Sequence, residues 1–186
     1  MHPFGHLKTI VKHRHEVIRL CRKCGILLQG LKHDLSKFSP TEYIPGAKYY
    51  TGTRSPNEAE RSELGYSSAW LHHKGRNRHH FEYWTDYNPA ERRVMPVKMP
   101  KKYVAEMFCD RVAASRIYMG SGYNDGYPLE YFMRGKANRL IHPETSGQLE
   151  ALLVMLRDEG EDATAGFIRN WLKGGPAPYT EEENDD

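Results

Sequence analysis

The sequence predicts an all-α fold, a single-domain helical bundle. Three observations carry that expectation. Ile10, Val17, Cys21, Cys24 and Leu28 fall on one arc of a helical wheel at ~100° per residue. Ser39-Pro40-Thr41-Glu42 and Ser55-Pro56-Asn57-Glu58 both have the layout of a helix start, a capping box with proline at the first helical position. No segment alternates apolar and polar residues as a half-buried strand does.

The elements follow in order. Residues 7–29 read as one amphipathic helix that Gly30 closes. His13 lies inside its apolar arc, and His15 lies outside. His33-Asp34-Leu35-Ser36-Lys37 reads as a short helical turn, with Asp34 and Lys37 three apart on one face. Helices are expected after Ser39, interrupted near Pro45-Gly46, and from Ser55 to about His73. A basic loop, Lys74-Gly75-Arg76-Asn77-Arg78, comes next, and helix resumes from His79 to Trp84. Pro96 and Pro100 bracket a connector, and Pro100 opens a strong helix to about Tyr118. A short helix over 129–134 and two more over 144–158 and 162–172 complete the domain, residues 1–175. Residues 176–186 read as an acidic, disordered tail.

The 186 residues and a 39% apolar fraction suit one packed domain. No apolar run is long enough to span a membrane, so no membrane partner is expected. The N-terminus lacks a signal-peptide layout, and three cysteines suit a reducing compartment. The expected location is cytoplasmic. Cys21-x-x-Cys24 sits on the apolar arc with no second pair, and reads as core. The net charge is +3, and it becomes +8 over residues 1–180 once the five tail acids are set aside. A basic body suits a small anionic partner bearing phosphate; nucleic acid is less favoured, and a homo-oligomer is compatible with the sequence.

The chemistry concentrates in a few places. His33-Asp34 offers a nitrogen and an oxygen ligand from adjacent positions. His72-His73 and His79-His80 flank a glycine-centred turn, so four imidazoles can face one another. Lys74, Arg76 and Arg78 place positive charge where a metal-bound anion would sit, and are the candidate substrate-binding residues. Asp110 is an acid in an apolar helical stretch, and an inward acid needs a cation. The candidate metal ligands are therefore His13, His33, Asp34, His72, His73, His79, His80 and Asp110. The expected cofactor is one or two divalent transition-metal ions: Mn, Fe, Zn, Ni or Co. Lys37, one turn beyond Asp34, is placed to stabilise developing phosphate charge, and Asp34 and Lys37 are the candidate catalytic pair.

In chain order these residues resemble the HD-domain superfamily of metal-dependent phosphohydrolases. His33-Asp34-Leu35-Ser36-Lys37 is similar to a His-Asp-x-x-Lys form of its signature, and Asp110-Arg111-Val112-Ala113-Ala114 to its closing aspartate element. Ala69-Trp70-Leu71-His72-His73 and His79-His80-Phe81-Glu82-Tyr83-Trp84 also resemble an uncharacterised bacterial and phage family of unknown function. The resemblance spans roughly residues 9–120. It implies an HD-domain-like bundle in which His13, His33, Asp34 and Asp110 hold one metal. Asp34 would bridge to a second metal held by His73 and His80, or by His72 and His79, which spacing does not separate. The function implied is hydrolysis of a nucleotide or another small phosphate ester. An HD-type di-iron oxygenase and a non-catalytic, metal-containing nucleotide-binding or interaction protein are the alternatives.

Overall fold

The computed structural model describes residues 1–179. It is mainly helical: α1 (Pro3–Lys23), α2 (Leu27–Lys32), α3 (Pro40–Tyr49), α4 (Pro56–Leu64), α5 (Ser68–Lys74), α6 (Lys101–Met119), α7 (Tyr127–Gly135) and α8 (Pro143–Leu172). The core is α1, α6 and α8, with Val17, Leu20 and Cys21 meeting Val104, Phe108 and Val112, and Leu149, Leu153 and Ile168 behind them. α3 crosses from α1 to α5, and α2 lies on α1. Among the described residues no helix is long and apolar enough to cross a membrane.

The first expected helix is in fact two. Gly25 has φ +80°, and the Ile26 N–H donates to the Cys21 carbonyl while the Gly25 N–H donates to Arg22. That pair of bonds is a Schellman stop, which needs the left-handed conformation glycine adopts without cost. The chain reverses into α2, and Leu28, expected on the buried arc, is 75% exposed. Gly30 is not a terminator. A Cβ there would lie 2.7 Å from Cys21 Cβ and 3.3 Å from Ile18 Cα. Its missing side chain is what lets α2 press against α1 and set down His33-Asp34 beside His13.

Other expectations shift for local reasons. The helix expected over 55–73 breaks at Gly65 (φ +80°) into α4 and α5. Residues 79–84 form only a 3-10 turn, Phe81–Tyr83. A hairpin that the sequence does not announce follows: β1 (Thr85–Asn88) pairs antiparallel with β2 (Arg93–Pro96), Thr85 opposite Pro96. Both strands are largely solvent-facing, so there is no apolar alternation to read. The two expected C-terminal helices are the arms of α8, bent at Gly160 (φ +83°). The tail begins with packed residues: Ala177 lies against the core, and the Tyr179 ring covers Gly147. The acidic end expected to be disordered, residues 180–186, lies outside the described residues.

Candidate metal centre

Each candidate ligand is delivered by a different local device. His13 is on the buried stripe of α1, while His15 is exposed. His33 ends α2, its carbonyl held by Arg14, which also donates to the Leu31 carbonyl at 3.1 Å. Asp34 has φ 54° and ψ 26°, left-handed backbone that aspartate tolerates better than most residues. That turn lets neighbouring His33 and Asp34 side chains converge. His73 is on the buried side of α5, Asp110 is on α6, and His79 and His80 arrive on the irregular segment before the 3-10 turn.

Among the described residues three groups have metal-ligand spacing: His33, His79 and Glu106 form one, and the other two, the two ligand sets, share Asp34. His13, His33, Asp34 and Asp110 form one, and Asp34, His73, His79 and His80 the other; within each set the ligand atoms lie within 4.8 Å of one another. Asp34 Oδ2 faces His33 Nε2 at 3.4 Å, and Oδ1 faces His73 Nε2 at 3.2 Å and His79 Nε2 at 3.4 Å. His13 Nε2 is 3.0 Å and His33 Nε2 3.4 Å from Asp110 Oδ1. His73 and His80 approach through their Nε2 atoms at 2.9 Å.

Five buried atoms of these sets lack a hydrogen-bond partner among the described residues: Nε2 of His13, His33 and His79, and both oxygens of Asp34. Buried polar atoms are normally paired, so unpaired ones that face one another within each set fit a cation. The donor set suits one or two divalent transition metals.

Two glutamates that sequence reasoning missed hold the rings. Glu106 Oε1 lies 3.0 Å from His33 Nδ1 and 3.2 Å from His79 Nδ1. Glu42 places Oε1 2.7 Å from His72 Nδ1 and Oε2 2.7 Å from His73 Nδ1. A carboxylate on Nδ1 fixes the ring and leaves Nε2 free for a metal, which is the usual support of ligating histidines. Glu42 is therefore not the capping residue expected from Ser39-Pro40-Thr41-Glu42, and Ser39 Oγ makes no cap bond. The signal for Glu106 is its place one turn before Asp110 on an otherwise apolar face.

His72 is the candidate ligand that the structure keeps out of both sets, because its Nδ1 is taken by Glu42 and it sits on the outer side of α5. Lys74, Arg76 and Arg78 do not line the cleft over the cluster. Arg76 folds back on the His72 carbonyl, and Arg78 lies over the Tyr83 ring and reaches the Tyr103 hydroxyl. The cations that do line the cleft are Lys37, Arg54 and Arg111. Lys37 Nζ is 2.6 Å from Asp34 Oδ2, at the distance but not the angles of a hydrogen bond.

The charges are strongly coupled. Burial disfavours the Asp34 carboxylate, but His33, Lys37 and His73 outweigh it and hold its pKa well below the usual range. Asp110 is held down in the same way by His13 and His33. Burial works against the Glu106 carboxylate too, yet His33 and His79 bring it down to about 2. Burial pushes the His13 and His80 imidazoles down, toward the neutral form that binds metal. The Lys37 ammonium loses solvation but is held charged by Asp34 and Asp110.

The model of a family of unknown function, DUF5662, matches residues 2–155. The chain belongs to this family. The matched region contains every residue of the two ligand sets, both supporting glutamates and the cations of the cleft. No curated protein and no solved structure matches the chain.

Proposed function

We propose that this DUF5662 protein is a metal-dependent phosphohydrolase acting on a nucleotide or another small phosphate ester, with an HD-type site. The observation that carries the reading is the Asp34 carboxylate, which faces one set of imidazoles with each oxygen while Lys37 stands beside it in an open cleft. His13, His33, Asp34 and Asp110 would hold one divalent ion, and Asp34, His73, His79 and His80 a second. Bound metal of this kind supplies Lewis acidity toward a phosphoryl oxygen and activates water at neutral pH.

The chain's own groups account for the rest. Lys37 presents an ammonium to the phosphoryl group as its charge develops, and Arg54 is a second cation lining the same cleft. Glu106 and Glu42 hold three imidazoles with Nε2 turned inward. The cleft, about 470 Å³, is of the size that takes a nucleotide. Its cations Lys37, Arg54 and Arg111 suit an anionic substrate such as a phosphate ester.

The test is phosphate release from a panel of nucleotides and simple phosphate esters by protein loaded in turn with Mn, Fe, Co, Ni and Zn. Release is expected with at least one metal, and Asp34→Asn should lower it on the order of 10³-fold. No release from any ester by fully metal-loaded protein would sink the reading. An oxygen-dependent visible band from the iron form would redirect it to di-iron oxygen chemistry.

A further inference from the structure

Two charged groups on the same cleft are not used by the metal centre. Arg111 follows Asp110 on α6, and its side chain leaves the helix about 100° around from the aspartate. Its guanidinium packs on Phe132, with Cζ 5.7 Å from the ring centroid, and its Nε is buried without a hydrogen-bond partner. Glu82, two residues beyond His80, lines the same cleft, and its Oε2 is buried and likewise unpartnered. Among the described residues no ion pair joins the two or matches Arg111 to any other carboxylate. Buried charges left unpaired destabilise a fold, so the pair calls for a ligand that completes it.

The chemistry of that ligand follows from the two signs. An anion would satisfy Arg111 but meet the Glu82 carboxylate, and a cation would do the reverse. A neutral edge with an N–H beside a carbonyl satisfies both. Phe81, Trp70 and Tyr131 line the same cleft and offer flat faces for a ring.

We propose that Glu82 and Arg111 form a base-reading subsite for a nucleobase with a lactam edge: guanine, hypoxanthine, uracil or thymine. The Glu82 carboxylate accepts the lactam N–H, and the Arg111 guanidinium donates to the carbonyl oxygen. Adenine and cytosine turn a ring-nitrogen lone pair toward Glu82 where the lactam has its N–H, so that contact is lost. The subsite deepens the phosphohydrolase reading, on which it rests for placing the phosphate at the Lys37 end of the cleft. Recognition of the base does not itself require hydrolysis.

The test is calorimetric binding of free nucleosides to the metal-loaded full chain. Guanosine, inosine, uridine and thymidine are expected to bind at least about tenfold tighter than adenosine and cytidine, the discrimination of about one buried hydrogen bond to a charged group. Glu82→Gln and Arg111→Met should each lose most of that ratio. Their Tm should be unchanged or raised, because each removes a buried charge that has no partner. Equal binding of all six nucleosides by the wild type would overturn the proposal, and so would a preference that survives both substitutions. A lactam preference without phosphate release would sink the hydrolase reading and leave the subsite. Phosphate release indifferent to the base, with no nucleoside preference, would do the opposite.

Discussion

Two charged clusters sit on the same pair of helices and are built in opposite ways. On one side of α1 and α6, Glu16, Arg19 and Arg116 meet Glu161 from α8. Arg19 donates two bonds to Glu161 at 2.6 Å and reaches Glu16 at 2.9 Å through Nε, while Arg116 reaches Glu16 at 2.7 Å and Glu161 at 2.5 Å. Lys23 adds a contact to Glu161 at 2.5 Å. Less than one turn before Glu16 on α1 is His13, and less than two turns before Arg116 on α6 is Asp110. There, among the described residues, Nε2 of His13, His33 and His79 and both oxygens of Asp34 have no hydrogen-bond partner. A matched network ties helices together with local partners, whereas an unmatched one is completed only from outside the chain. The first is the signature of scaffold and the second of a site.

The sharpest way to break this comparison is Asp34→Asn. Asparagine tolerates the left-handed backbone at this position, so the turn survives while the shared carboxylate goes. Metal content, measured by mass spectrometry, should fall to background for both ions. Turnover should fall on the order of 10³-fold, because several kcal/mol of charge stabilisation is removed. The Tm of the metal-free protein should change little. Full metal retention would show that Asp34 does not join the two sets.

Lys37→Ala comes next. The variant should keep its metals and its fold and lose on the order of 10²-fold in turnover, as for a lost oxyanion donor. Near-wild-type phosphate release would remove Lys37 from the chemistry. Loss of metal instead would assign it to holding the Asp34 turn.

The supporting carboxylates separate by how many ligands each holds. Glu106 touches His33 and His79, one from each set, whereas Glu42 touches only His73 among the ligands. Glu106→Gln should weaken metal binding by about 10- to 100-fold, and Glu42→Gln by less. A competition titration against a chelator reads both. The reverse order would mean that the Glu42 contact to His72 carries more of the geometry than its ligand count suggests.

The same contrast explains what the sequence made legible. The candidate ligands that the structure brings together were readable because metal chemistry restricts them to few residue types: His13 by its apolar arc, His33-Asp34 as a dipeptide, His73, His79 and His80 as a histidine-rich segment, and Asp110 as an acid in an apolar helix. Supporting groups were not readable, because Glu42 and Glu106 look like ordinary helix glutamates until their oxygens are seen on Nδ1 atoms. His72 was over-read for the converse reason, since neighbouring helical residues point about 100° apart and only one of a doublet can face inward. The cations Lys74, Arg76 and Arg78 were near the site in sequence but do not line its cleft, whereas Arg111 was hidden beside the aspartate that drew notice. The helical core was legible from its period. The break at Gly25 and the hairpin over 85–96 were not, because each depends on backbone conformation or exposed pairing rather than apolar spacing.

The smallest expected effect tests the matched cluster. Glu161→Gln removes the carboxylate that three cations share. The loss should be on the order of 1–2 kcal/mol, or about 2–8 °C in Tm at pH 7, the scale of a few partly exposed ion pairs. Turnover should stay within about twofold, because Glu161 lies outside both ligand sets. The pH dependence has a definite sign. Hydrogen bonds from Arg19, then from Lys23 and Arg116, outweigh burial and hold the Glu161 pKa far below its ordinary value of 4.5. A depressed folded pKa means that the unfolded chain binds the proton first as pH falls. The stabilisation is therefore fully present above pH 4.5 and drains away below it. The Tm gap between wild type and Glu161→Gln should be constant from pH 7 to about pH 5 and narrow steadily below about 4.5. A gap that stays the same down to pH 3 would assign the loss to packing, and a large loss of turnover at pH 7 would show that the two clusters are not independent.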